Sequence, residues 1–243
     1  MPKRGPPACP QAWPRPRPHR CGRQTLITSE PQFCSPFSTL QEVHNLIGRH
    51  RAADAKAKVR DAEMLAAGKK LRRGVQIRES IRCIYRWKLQ SFLHRFAWAK
   101  SFPDGISDEV PNDAVQVAQE ATPSNEASVR TALSKLDEIR GVGIPVASAV
   151  LTALHPDQFT VIDRLAYRAL GVTFRCGLAE YLRYLGFCRN EAARFGITLR
   201  EHDEALWQYG AELSRKPSCD SPRSTARQRW RRSRKVGGNR STS

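Results

Sequence analysis

Between residues 37 and 214, apolar side chains recur mainly every three to four positions, the spacing of helices with one buried face. Ile77, Ile81, Ile84, Tyr85, Leu89, Phe92 and Phe96 form one such stripe and predict a helix over 75–99. "STLQ" at 38–41 reads as a capping box opening a helix that runs to about Ala67, with Gly68 as its stop. Two prolines and a glycine make 101–112 a loop. Thr122 and Pro123 read as a cap followed by a first helical residue. Val129, Leu133, Leu136 and Ile139 then mark the buried face of a helix ending at Arg140. Further helices are expected from Pro145 through Leu154, from Asp163 through Leu170, over 177–195 and over 199–213. "TLRE" at 198–201 is a second capping box. "QFTVI" at 158–162 is strand-like but has no evident partner, so the predicted fold class is all-α.

The flanks lack this periodicity. Residues 1–36 are rich in proline and arginine, residues 215–243 are basic, and both are expected to be disordered tails around a helical domain at 37–214. No apolar run approaches the roughly 18 residues of a membrane span, and no secretory signal is evident. The seven cysteines are scattered without a C-x-x-C pair. They predict reduced thiols in a cytoplasmic protein, with neither a zinc site nor an iron–sulfur cluster.

Charge sharpens the picture. The chain carries +18 overall, yet residues 49–100 hold fifteen Lys/Arg against four acids, and residues 101–213 hold ten against sixteen. A basic N-terminal half inside folded sequence points to a polyanion, of which nucleic acid is the commonest. For the tails, solvation is the simpler reading.

Within this helical pattern one break needs explaining. Glycine inside a helix costs about 1 kcal/mol relative to alanine. Gly141 and Gly143 around Val142 therefore mark a tight turn between two helices. The exposed N–H groups at the start of the following helix make an anion site. Asp163 stands twenty residues past Gly143. Taken alone it reads as an N-cap worth about 1 kcal/mol.

The segment Ile139-Arg140-Gly141-Val142-Gly143-Ile144-Pro145-Val146-Ala147, with Val161-Ile162-Asp163-Arg164-Leu165-Ala166-Tyr167-Arg168, resembles the motif of the helix-hairpin-helix DNA glycosylase superfamily. Trp87-Lys88, Pro145-Val146-Ala147-Ser148 and "HDEALWQYG" at 202–210 resemble a bacterial branch related to the 8-oxoguanine glycosylase fold. The resemblance then covers roughly 40–213.

It implies a helix-hairpin-helix glycosylase-like domain that binds double-stranded DNA and takes part in base excision repair. It also implies a monomer associated with the nucleoid, with no cofactor beyond a possible monovalent cation at the hairpin. Asp163 matches the family's catalytic aspartate, which stabilises an oxocarbenium-like sugar and orients water. The resemblance carries DNA contacts onto Gly141, Val142, Gly143, Ile144 and Val146, flanked by Arg140 and Arg164. Bifunctional members place a lysine where this chain has Pro145, so a hydrolase without lyase chemistry is implied.

Lys88 falls within the apolar stripe of its helix. It is a nucleophile in a sharp reading, and a snorkelling or acid-paired side chain in a plain one. Trp87, beside it and off the stripe, is the first choice to stack on an extruded base. Trp98, Trp207, Tyr209 and Phe187 are also considered, though such aromatics are mostly core. Arg168 is a further phosphate candidate. His155, His202 and Cys188 show no ligand spacing. The rival readings are a non-catalytic DNA-binding module and a helical protein whose hairpin only packs.

Overall fold

The structure is a computed structural model and describes residues 33–52, 55–89 and 109–215. Among them are nine helices and no strand: α1 (Leu40–Ala52), α2 (Ala55–Arg72), α3 (Ile77–Leu89), α4 (Glu109–Gln119), α5 (Glu126–Asp137), α6 (Ile144–Leu154), α7 (Arg164–Ala169), α8 (Leu178–Phe195) and α9 (Leu199–Arg215). The all-α expectation holds for these residues.

Sequence dictates the centre. α6 reads IPVASAVLTAL, and every residue from Val146 to Leu154 is buried. A helix that is apolar all round must be surrounded. α2, α3, α4 and α5 pack against it, while α9 packs on α7, α8 and α1. Its two buried hydroxyls turn back on their own helix, Ser148 Oγ donating to Pro145 O at 2.9 Å and Thr152 Oγ1 to Ser148 O at 2.9 Å. Neither is left without a partner in the core.

Several boundaries differ from expectation for local reasons. The helix expected over 38–67 is two helices, α1 and α2. Gly68 does not stop α2, which continues to Arg72. At Gly68 the α2 backbone lies so close to α6 that a Cβ would stand 1.9 Å from Ala153 O. The first capping box is shifted by one residue. Thr39 Oγ1 accepts from Glu42 N at 3.2 Å, and Glu42 Oε2 accepts from Ser38 N at 3.1 Å. The second is as expected, with Thr198 Oγ1 accepting from Glu201 N and Glu201 Oε2 from Thr198 N.

α5 starts later than Pro123. Its cap is Asn125, whose Oδ1 accepts from Ser128 N at 3.2 Å, and it ends at Asp137 rather than Arg140. α4 begins inside the expected loop, at Glu109. Pro111 then falls in its first turn, where no N–H is needed. The expected helix over 75–99 is described only as far as Leu89. Phe92, Phe96, Trp98 and the residues beyond 215 lie outside the described residues.

Phe33, within the segment expected to lack structure, packs edge-on against Tyr167 and Tyr184, with centroids 5.6 and 6.0 Å away. Packed structure therefore reaches four residues further toward the N-terminus than residue 37. The polarised charge also has an internal use, because basic α1 lies along acidic α9. Arg49 pairs with Glu212 at 2.8 Å, and Arg51 with Glu204 at 3.0 Å and Glu201 at 3.3 Å.

Candidate functional site

The glycine turn joins α5 to α6. Val142 N donates to Ile139 O at 2.9 Å. Gly141 has φ +88°, a conformation that glycine adopts without strain. Gly143 is extended, with φ −97° and ψ 174°, and caps α6. The turn's requirement for positive φ thus rests on Gly141 alone. At Gly143 a Cβ would meet only Pro145 Cδ at 3.8 Å and Asp137 Oδ1 at 4.0 Å.

Not every residue expected to meet DNA is turned outward. Val142 and Val146 are 3% exposed and belong to the core. The Val146 N–H is also spent, donating to Gly143 O at 2.8 Å. The side chains of both valines thus pack in the core beneath the turn. Ile144 is half-buried against the core, and Arg140 and Arg164 are exposed. Among the described hydrogen bonds the N–H groups of Arg140, Gly141, Gly143 and Ile144 have no acceptor, and the last two stand at the start of α6. Among the described residues no group of three His, Cys, Asp or Glu side chains is placed to hold a metal ion.

Asp163 stands at the start of α7, as expected of a cap. Its Oδ1 accepts from Leu165 N at 2.7 Å. Its Oδ2 lies 2.6 Å from Lys88 Nζ, and Lys88 also donates to Ile162 O at 3.0 Å. Of the readings open for Lys88, pairing with an acid is the one realised. Its side chain is only 7% exposed, against 26% for Asp163, so it offers little surface to a DNA backbone. Burial alone would raise the Asp163 carboxyl. The charge and hydrogen bond of Lys88, the Leu165 N–H and the charge of Arg164 outweigh it and hold the group below the ordinary carboxylate value.

The peptide leading to Asp163 crosses the core without secondary structure, so its buried polar groups need partners outside a helix, and side chains supply several of them. Tyr181 Oη donates to Thr160 O at 3.1 Å, Thr160 Oγ1 donates to Asp203 Oδ1 at 3.1 Å, and Ile162 N donates to Ser148 Oγ at 3.2 Å. Phe159 to Ile162 of the strand-like "QFTVI" run form this buried connector, so their hydrophobicity reflects burial and not sheet pairing. Ser148 sits one turn past the glycine turn on α6, so the same helix carries the turn at its start and the support for Asp163 inside it.

Trp87 does not stand free to stack. It is half-buried, and its Nε1 donates to Asp61 Oδ1 at 2.6 Å. Asp61 also accepts from Arg200 Nη2 at 2.9 Å. Through Asp61, Trp87 links α2, α3 and α9. Phe187 packs on Phe33, Tyr209 on Phe37, and Trp207 edge-on against His50 at 5.3 Å. Arg168 is bonded to Ser214. The exposed basic residues of 49–100 include Lys58, Lys69, Lys70, Arg73 and Arg86. Arg72 instead donates to Ala153 O at 3.1 Å and to Leu154 O, closing the C-terminus of α6.

Sequence reasoning missed Ser148, Asp61 and Asp203 as parts of this arrangement. Only the placement of Lys88 in an apolar stripe signalled that a buried ammonium needed a partner. Comparison of the chain with protein-family models, curated proteins and solved structures finds no match.

Proposed function

We infer that this chain is a DNA-binding protein that removes a damaged base by hydrolysing its N-glycosidic bond, without lyase activity. The observation that carries this reading is the meeting of two features on α6. A glycine turn with open N–H donors starts the helix, and the Ser148 hydroxyl inside it supports the peptide before an anionic Asp163.

A phosphate of duplex DNA would sit on the Gly143 and Ile144 N–H groups, aided by Arg140 and Arg164. The damaged nucleotide, extruded from the stack, would bring C1′ toward Asp163. As the C1′–N bond breaks, the base leaves with the bonding pair and positive charge develops on the sugar. A fixed carboxylate lowers the energy of that charge and receives a proton from the attacking water. Pro145 has no amine, so no lyase step is assigned to that position. The working form is a monomer acting on nucleoid DNA.

A second reading, a non-catalytic DNA-binding module, has its own support. Both Asp163 oxygens are already engaged, by Leu165 N and Lys88. Base release decides between them. Purified protein and its Asp163→Asn variant are incubated with duplexes carrying oxidised, alkylated, deaminated and mismatched bases, and alkali reveals abasic sites. Release by the wild type that is lost in the variant supports the hydrolase. Salt-sensitive duplex binding by both, without release, supports the module.

A further inference from the structure

Ile162 is fully buried, and its N–H and C=O lie outside any helix. Two side chains complete them. Ser148 Oγ on α6 accepts from the N–H, and Lys88 Nζ on α3 donates to the C=O. The same ammonium reaches Asp163 Oδ2, and Leu165 N holds Oδ1. The carboxylate is thus gripped at both oxygens, and the residue before it is held at both its N–H and its C=O.

We propose that Lys88 and Ser148 are positioning residues that fix the Asp163 carboxylate in one orientation as an anion, before any DNA is bound. This rests on the hydrolase reading. A side chain held only by its cap bond can still swing about χ1, and reorienting it during reaction would add to the barrier. Preorganised charge avoids that cost. Lys88 acts through Asp163 and does not itself need to touch DNA, in keeping with its burial.

The charged and titratable groups facing Asp163 are Lys88 from α3, Arg164 on α7, Asp203 from α9 and Tyr184 from α8. α6 contributes none. Asp203 itself titrates near 6, so Asp203→Asn is the control that shows which acid limb belongs to Asp163.

The experiment follows base release against pH for the wild type, Lys88→Met, Lys88→Arg and Ser148→Ala, on whichever duplex the wild type cleaves. For Lys88→Met, kcat should fall about tenfold or more with KM little changed. Its acid limb should move up by about one pH unit or more. Lys88→Arg should recover part of both effects, since a guanidinium still donates. Ser148→Ala should lower kcat severalfold and leave the limb in place. The proposal is overturned if Lys88→Met keeps the wild-type limb and loses activity only in proportion to its folded fraction by circular dichroism. A change confined to KM also overturns it and makes Lys88 a DNA contact.

If the wild type releases no base from any duplex, the hydrolase reading fails, and a carboxyl-carbon NMR titration of Asp163 then decides the positioning claim. A midpoint raised in Lys88→Met supports it, and superimposable titrations overturn it.

Discussion

Replacing Asp163 by Asn and by Ala separates two jobs of one side chain. Oδ1 caps α7, and an Asn oxygen does that equally well. Oδ2 holds the Lys88 ammonium at 2.6 Å, which takes a negative charge. Removing one partner of a fully buried pair costs about 3–5 kcal/mol. Here water reaches the carboxylate, 26% exposed, so Asp163→Asn should cost less, about 2–3 kcal/mol. Asp163→Ala should add about 1 kcal/mol for the lost cap.

Urea unfolding at pH 7, followed by far-ultraviolet circular dichroism, measures both. The double variant Lys88→Met/Asp163→Asn should be less destabilised than the two single changes added together, with a coupling of about 2 kcal/mol. Because the folded carboxyl titrates below its ordinary value, this contribution is complete above about pH 4 and disappears as pH falls through the lower folded value. An Asp163→Asn variant within about 0.5 kcal/mol of wild type, or a coupling near zero, would refute the pairing argument.

Four further outcomes follow from the packing. Gly48→Ala and Gly68→Ala are the same change inside two helices, yet only Gly68 approaches another backbone. The first should stabilise by up to about 1 kcal/mol and the second destabilise by about 2 kcal/mol or more, read from urea midpoints; equal signs would contradict the α2–α6 contact. Gly143→Ala meets only ordinary contacts, so its thermal midpoint should hold while duplex affinity falls; unchanged affinity would remove the turn from the DNA surface. Changing exposed Lys69 and Lys70 to Gln should make the log-affinity against log-salt slope of duplex binding shallower by about one to two; an unchanged slope would remove this face from phosphate contact.

His202 is fully buried with neither ring nitrogen hydrogen-bonded, and burial lowers it to about 4, so its contribution to stability declines as pH drops from 6.5. Asp203, raised to about 6 mainly by burial, has the opposite sign and adds stability as pH drops from 6. His202→Leu should therefore gain stability between pH 7 and 5 where Asp203→Asn loses it, each by about 1 kcal/mol or more; parallel urea midpoints would contradict both placements.

Much of the secondary structure was legible because it depends on neighbours three or four residues apart. α6, α8 and α9 begin and end close to where periodicity and the "TLRE" box place them. The Gly141 turn and the cap at Asp163 are equally local, since positive φ and a side chain two residues from an N–H leave marks in short stretches.

What tertiary structure decided lies far apart in sequence. Lys88 and Asp163 are 75 residues apart, and an apolar stripe says only that an ammonium needs an acid, not which one. Gly68 reads as a stop by helix propensity, yet it is a contact point, because the gain from packing α2 on α6 outweighs the local cost of glycine. Trp87 looks free on a helical wheel until Asp61, on another helix, takes its N–H. The polarised charge suggested one polyanionic partner, while the fold spends part of it between α1 and α9. Local pattern sets which residues form helices. Long-range packing and charge pairing set which side chains remain to do chemistry.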